Sequence, residues 1–278
     1  MSTAQIPVLL PFACVLLLFI VALVRIIYIF VTDKGMRRLQ CYRIMALIGV
    51  YQIIIGCAFI SMFTTHMLSS EHAKLEAVFA SIWTSMYKSL IGNEFVLALN
   101  RVSVICGVRI PSIFMIALQV LSLLISVVHM IIVNSDLAGY VISADGYTRT
   151  FDPSKPYSQT VLCAVLIHYM ATIGLKFVCY LVIVIYLKYK KHNNSSWSLD
   201  RIERNIAFLL FLIRSSVGYC GEAVEFAYRM LELFIIVCLP SITYLSLNSA
   251  LRAKFFLPLR GLINRRTHQA SSPGTSLF

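Results

Sequence analysis

The amino-acid sequence predicts an all-α membrane protein, a bundle of seven transmembrane helices with its N-terminus outside. Three observations carry that expectation. First, 59% of the 278 residues are hydrophobic and only 13% charged, against about 45–50% and about 25% in soluble globular domains, and the mean hydropathy is +0.82. Second, the apolar residues gather into seven stretches, each near the roughly 20 residues that a helix needs to cross a bilayer core. Third, Lys and Arg crowd into alternate connections between those stretches. A water-soluble enzyme and a disordered chain are excluded by composition. The net charge of +12 is explained by its distribution along the chain and needs no nucleic-acid partner.

The first stretch, 6–31, holds an uninterrupted apolar run from Phe12 to Val24. It is longer than a signal-peptide core and lacks the basic flank of one. Arg25, near its inner end, can extend its charge to the interface. The second stretch is 43–64. The third, 77–104, is the most polar and the most informative. The fourth, 111–133, is apolar throughout, and the fifth, 158–187, carries His168, Tyr169 and Lys176. The sixth, 206–224, contains Arg214. The seventh, 227–248, opens with Arg229 and Glu232 and includes Pro240, which removes a backbone hydrogen bond and permits a kink. Neither of the longest connections, 134–157 and 188–205, is long enough to fold alone. One domain is therefore expected over 1–256, with a short juxtamembrane helix after the last span. The cytoplasmic tail 257–278 is expected to be largely without fixed structure.

Sidedness follows from the basic residues. The connections after spans 1, 3 and 5 and the C-terminus hold 16 of them, including Lys34, Arg37, Arg38, Arg43, Arg101, Arg109, Arg252 and Lys254; the opposite side holds 4. The basic side is expected to be cytoplasmic, beside anionic lipid. The glycosylation patterns at Asn193 and Asn194 then fall inside and should be silent. The eight Cys are scattered, mostly within apolar runs and with no CxxC pair, which reads as buried free thiols. No metal or cofactor is expected: His66, His72, His129 and His168 fall on different spans or loops, without HxxxH or HExxH spacing.

Ionisable residues inside a span are costly and are functional candidates. In span 3, Trp83, Tyr87, Glu94, Ala98 and Arg101 recur at steps of three, four and seven and share one helical face. Lys88 flanks that face. By depth, Glu94 is expected to pair with Arg214, with Lys176 as the rival partner, and Lys88 with Glu232. Trp83, Tyr87, Lys88, His168, Tyr169, Arg229 and Glu232 all fall at outer-half depth, where they line a ligand cavity if their faces converge.

Seven spans with the N-terminus outside resemble a rhodopsin-like G-protein-coupled receptor. The fuller resemblance is to the nematode serpentine chemoreceptors, class T, with classes X, V and gamma as related possibilities. It rests on Cys41-Tyr42-Arg43-Ile44-Met45 followed by Ile48-Gly49-Val50, on Leu99-Asn100-Arg101, and on Tyr244-Leu245-Ser246-Leu247-Asn248, and covers roughly 20–256. The sequence departs from the rhodopsin-like pattern in several places. Asn100 stands where an acid precedes the Arg, Leu239 replaces the Asn before Pro240, Tyr244 lies four residues beyond the Pro, and the outer cysteines are missing. The resemblance implies a chemosensory receptor, at the plasma membrane and in sensory cilia, that binds a small ligand in the outer half of the bundle. It also implies activation of a heterotrimeric G protein through Asn100, Arg101, Pro240 and Tyr244, without catalysis. The alternative is a transporter or channel whose buried charges line a path. Against it stand the absence of an internal repeat and of paired Gly/Pro-broken spans.

Overall fold

A computed structural model describes residues 6–68, 73–142, 149–193, 234–238, 242, 244–245 and 251–255. The described chain is mostly helical. Helix α1 runs Ile6–Thr32, the short α2 Lys34–Arg38, α3 Gln40–Leu68, α4 Ala73–Cys106 and α5 Ser112–Val133. Strands β1 (Tyr140–Ile142) and β2 (Arg149–Phe151) follow, then α6 (Ser158–Asn193) and a π-helical turn at Phe234–Cys238. Five of these helices are long and apolar enough to cross a membrane: α1, α3, α4, α5 and α6. They coincide with the first five predicted spans to within a few residues. The predicted sixth span, with Arg214, lies outside the described residues, as do Arg229, Glu232 and Pro240 in the seventh and the tail 257–278.

Each helix has a physical reason for its packed face. On α3 the buried residues Ile44, Ile48, Tyr51, Ile55, Phe59 and Met62 recur every three or four positions, a single stripe. On α1 the stripe is Leu16, Ile20, Leu23, Ile26 and Phe30. These stripes meet Trp83, Leu90, Val96 and Leu97 of α4, with Val237 of the π-helical turn in the same core. Away from the core the helices are exposed and still apolar. Leu17, Leu18, Val21 and Val24 on α1, Ile113, Ile116, Leu121 and Leu124 on α5, and Ile167, Met170, Val178 and Ile185 on α6 all point outward. Water does not tolerate such a surface over three helices, whereas lipid tails do.

Helix α4 is different, being packed against α3, α5 and α6. Its buried residues include Ser81, Thr84, Ser85, Lys88, Ser89, Asn93 and Asn100. Against α5 it builds a ladder of small polar groups. The amide of Asn134, at the C-cap of α5, donates to the Ser81 hydroxyl at 2.7 Å. Ser85 Oγ lies 2.9 Å from His129 Nδ1, and the Ser89 hydroxyl donates to Ser126 at 2.6 Å. One turn on, α5 comes so close that a Cβ on Gly92 would sit 2.2 Å from Ser122 Oγ and 2.7 Å from its Cβ. Small residues at such a seam let two backbones approach, and hydrogen bonds across it contribute about 0.6 kcal/mol each on average in a membrane. Gly107, at φ 71°, ends α4 in the left-handed conformation common at helix C-termini, and the chain turns into α5.

The connection 134–157, expected as a loop, contains the exception to the all-α prediction. Strands β1 and β2 pair antiparallel, with Tyr140 opposite Phe151 and Val141 opposite Thr150. The Tyr140 and Phe151 rings are 4.6 Å apart. The Lys155 ammonium closes the base, donating to the carbonyls of Ser135 at 2.7 Å and Ala138 at 2.9 Å. Three-residue strands leave no usable alternation in the sequence, so periodicity does not reveal the hairpin.

The α4–α5 seam yields a test. Gly92→Ala overpacks it and is expected to cost about 1–3 kcal/mol, read as a lower unfolding temperature in detergent. Ser122→Gly in the same chain clears the space and recovers part of the loss. A double variant no more stable than Gly92→Ala would place the strain elsewhere.

Candidate functional site

Polar and aromatic groups gather at two levels of α4, around Lys88 and around Glu94, about 9 Å apart by helical rise, with Arg101 about 10 Å further on. At the first level Lys88 is 2% exposed. Its ammonium donates to the Thr84 carbonyl at 3.2 Å and lies 5.7 Å from the centroid of the Tyr169 ring, a cation–π contact. The Tyr87 ring meets Tyr169 edge to face at 5.6 Å. The His168 ring is 6.1 Å from that of Tyr169, and His168 Nε2 is buried with no hydrogen-bond partner among the described residues. The structure thus brings Tyr87, Lys88, His168 and Tyr169 together at the α4–α6 contact. The Trp83 ring meets Phe59 of α3 edge to face at 5.6 Å, and Trp83 is 2% exposed. Such a pair contributes about 0.5–1.5 kcal/mol beyond its burial.

At the second level Glu94 accepts a 2.7 Å hydrogen bond from Lys176 of α6. This is the rival named from sequence; Arg214 lies outside the described residues. The side chains are 32% and 15% exposed, so the pair is neither a screened surface bridge nor a sealed one. Further along, Asn100 is buried and Arg101 exposed. The Arg101 guanidinium donates to the Tyr180 hydroxyl at 3.3 Å. Arg101 therefore ties the end of α4 to α6.

Tyr244 packs its ring 6.1 Å from Phe30, beside a cluster of Ile26, Ile29, Phe30, Met36, Ala46 and Leu251. Residues 251–255 are helical, at the place of the expected juxtamembrane helix. This C-terminal segment is tied down twice. Leu251 is fully buried in that cluster, and Lys254 forms an ion pair with Asp33. Asp33 also caps α2, accepting from the N–H groups of Gly35 and Met36. The Lys254 ammonium, with those N–H groups, holds the Asp33 carboxyl below the usual carboxylate range.

Sequence reasoning missed Tyr180 and the Ser85–His129 contact. Tyr180 carried no signal, because nothing in α6 says which of its many apolar-flanked tyrosines faces α4. The serines did carry one: Ser81, Ser85 and Ser89 recur at four-residue steps, as do Ser122 and Ser126, and such stripes mark helix seams in membranes.

Reversing one member of the Glu94–Lys176 pair sets like charges face to face. Glu94→Lys and Lys176→Glu are each expected to lower the unfolding temperature in detergent, and the double reversal to recover part of the loss, a coupling of about 0.5–3 kcal/mol. Additive losses would show that the two do not interact.

No family model matches the chain, and no curated protein matches it either.

Proposed function

We propose that this chain is a seven-helix chemosensory receptor at the plasma membrane. A small ligand held in the outer half of the bundle favours a conformation whose cytoplasmic face engages a heterotrimeric G protein. The observation that carries the reading is the position of Arg101. An exposed guanidinium stands near one end of α4, held by Tyr180 of α6. The same continuous helix carries the Tyr87–Lys88–His168–Tyr169 cluster at its other level. A ligand shifts such an equilibrium only by binding the two states differently. A cluster contributed by both α4 and α6 senses any relative movement of those helices, and so does the Arg101–Tyr180 hydrogen bond.

In this reading Tyr87, Lys88, His168 and Tyr169, with Arg229 and Glu232 from the seventh span, contact the ligand, and Trp83 forms a wall behind them. Lys88 pairs with Glu232, which relieves a charge that costs roughly 2.5–3.5 kcal/mol at bilayer depth. Asn100, Arg101, Pro240 and Tyr244 form the switch on the G-protein side, with the N-terminus outside. Sensory cilia are the expected site of action.

Two measurements bear on this. In cells, a glycosylation sequon inserted within 143–148 is expected to be used while Asn193 and Asn194 stay unmodified; glycans on either Asn would reverse the topology. With a ligand found by screening against a promiscuous G protein, Arg101→Ala is expected to reduce nucleotide exchange roughly 5–150-fold, the usual span of coupling between sites, at unchanged surface level. An undiminished response would remove Arg101 from the switch, and ligand-driven ion flux in liposomes without exchange would favour a transporter.

A further inference from the structure

The strongest concentration of uncompensated charge among the described residues is not on α4 but at the elbow between the first two membrane-crossing helices. Lys34, Arg37, Arg38 and Arg43 are all exposed. Asp33, the one acid between Thr32 and Arg43, is already occupied by Lys254 and by the N–H groups of α2. None of the four cations forms an ion pair among the described residues.

We propose that this elbow is a binding site for the phosphate-bearing headgroup of an anionic phospholipid. Helix α2 sits between the end of α1 at Thr32 and the start of α3 at Gln40, both helices that cross the bilayer, so it lies at headgroup level. Its pose is set in advance: Asp33 caps its first turn, and Met36, 6% exposed, is locked among Ile26, Ile29, Phe30 and Leu251. With Met36 turned inward, Arg37 and Arg38 are left outward, and neighbouring Leu39, 54% exposed, offers an apolar contact for an acyl chain. Guanidinium groups take phosphate oxygens two at a time, and a cluster of four cations beside a membrane helix suits a multiply charged headgroup. The bilayer lies against this patch, which favours lipid over a soluble polyanion. A headgroup here also lies against the Asp33–Lys254 strut that fastens the C-terminal segment. The proposal rests on the helices crossing a bilayer and does not depend on receptor activity.

The test uses the purified full chain in detergent, incubated with equal amounts of phosphatidylcholine and phosphatidylinositol bisphosphate, with retained lipid counted by native mass spectrometry. The wild-type chain is expected to retain the bisphosphate lipid in preference. Replacing Lys34, Arg37, Arg38 and Arg43 together by Gln should reduce that retention roughly tenfold or more, while Arg109→Gln, a cation on the loop between α4 and α5, leaves it unchanged. Equal retention by the fourfold variant, or equal loss in Arg109→Gln, overturns the assignment. Should the fourfold variant fail to fold, the wild-type chain still decides. Raising salt from about 0.1 to about 1 M shortens the screening length from about 10 to about 3 Å and should release the lipid, and retention indifferent to salt overturns the proposal.

Discussion

In the hydrocarbon part of a bilayer a serine, an asparagine or a lysine finds no water, and each must be satisfied by protein. Helix α4 carries all three kinds, on several faces. Ser81, Ser85 and Ser89 require one neighbour, and α5 meets them with Asn134, His129 and Ser126. Lys88 and Glu94 require another, and α6 supplies Tyr169 and Lys176. Trp83 and Leu90 pack into the core shared with α3. A helix with such demands has one stable place, the middle. Among the described residues α3, α5 and α6 pack against it, and α1 packs against α3.

The same constraint sets the outside. Where α1, α5 and α6 turn away from α4 they present leucine, isoleucine and valine rather than charge. Apolar burial in the aqueous sense does not drive such helices together, since lipid is as apolar as they are; packing and interhelical hydrogen bonds do. The close approach at Gly92 and the serine ladder therefore matter more to the bundle than the abundance of leucine.

Helix α4 carries polar clusters at two levels. Both clusters are shared with α6: Tyr87 and Lys88 touch Tyr169, Glu94 touches Lys176, and Arg101 touches Tyr180. A rotation or shift of α6 would disturb all three contacts together. The α2 elbow and the C-terminal segment, joined through Asp33 and Lys254, form a separate brace beside Tyr244.

The sequence by itself determined that the chain is helical and, to within a few residues, where five helices long and apolar enough to cross a membrane lie. Span length and apolarity are local properties, imposed by the bilayer on any helix that crosses it. It also marked Lys88 and Glu94 as unusual, because charge at that depth is expensive wherever it points, and Tyr87 and Arg101 because they share one helical face with Glu94. Only the tertiary structure decided the partners. By depth Arg214 was the expected partner of Glu94 and Lys176 its rival, and among the described residues it is Lys176 that reaches it, because α6 packs against α4 at that level. Trp83 and Tyr87 lie one turn apart, yet one ring meets α3 and the other α6, a division that neither residue encodes alone. Depth follows from counting along one helix, whereas facing depends on how each helix is rotated against its neighbours, and that is settled by packing among residues far apart in the chain.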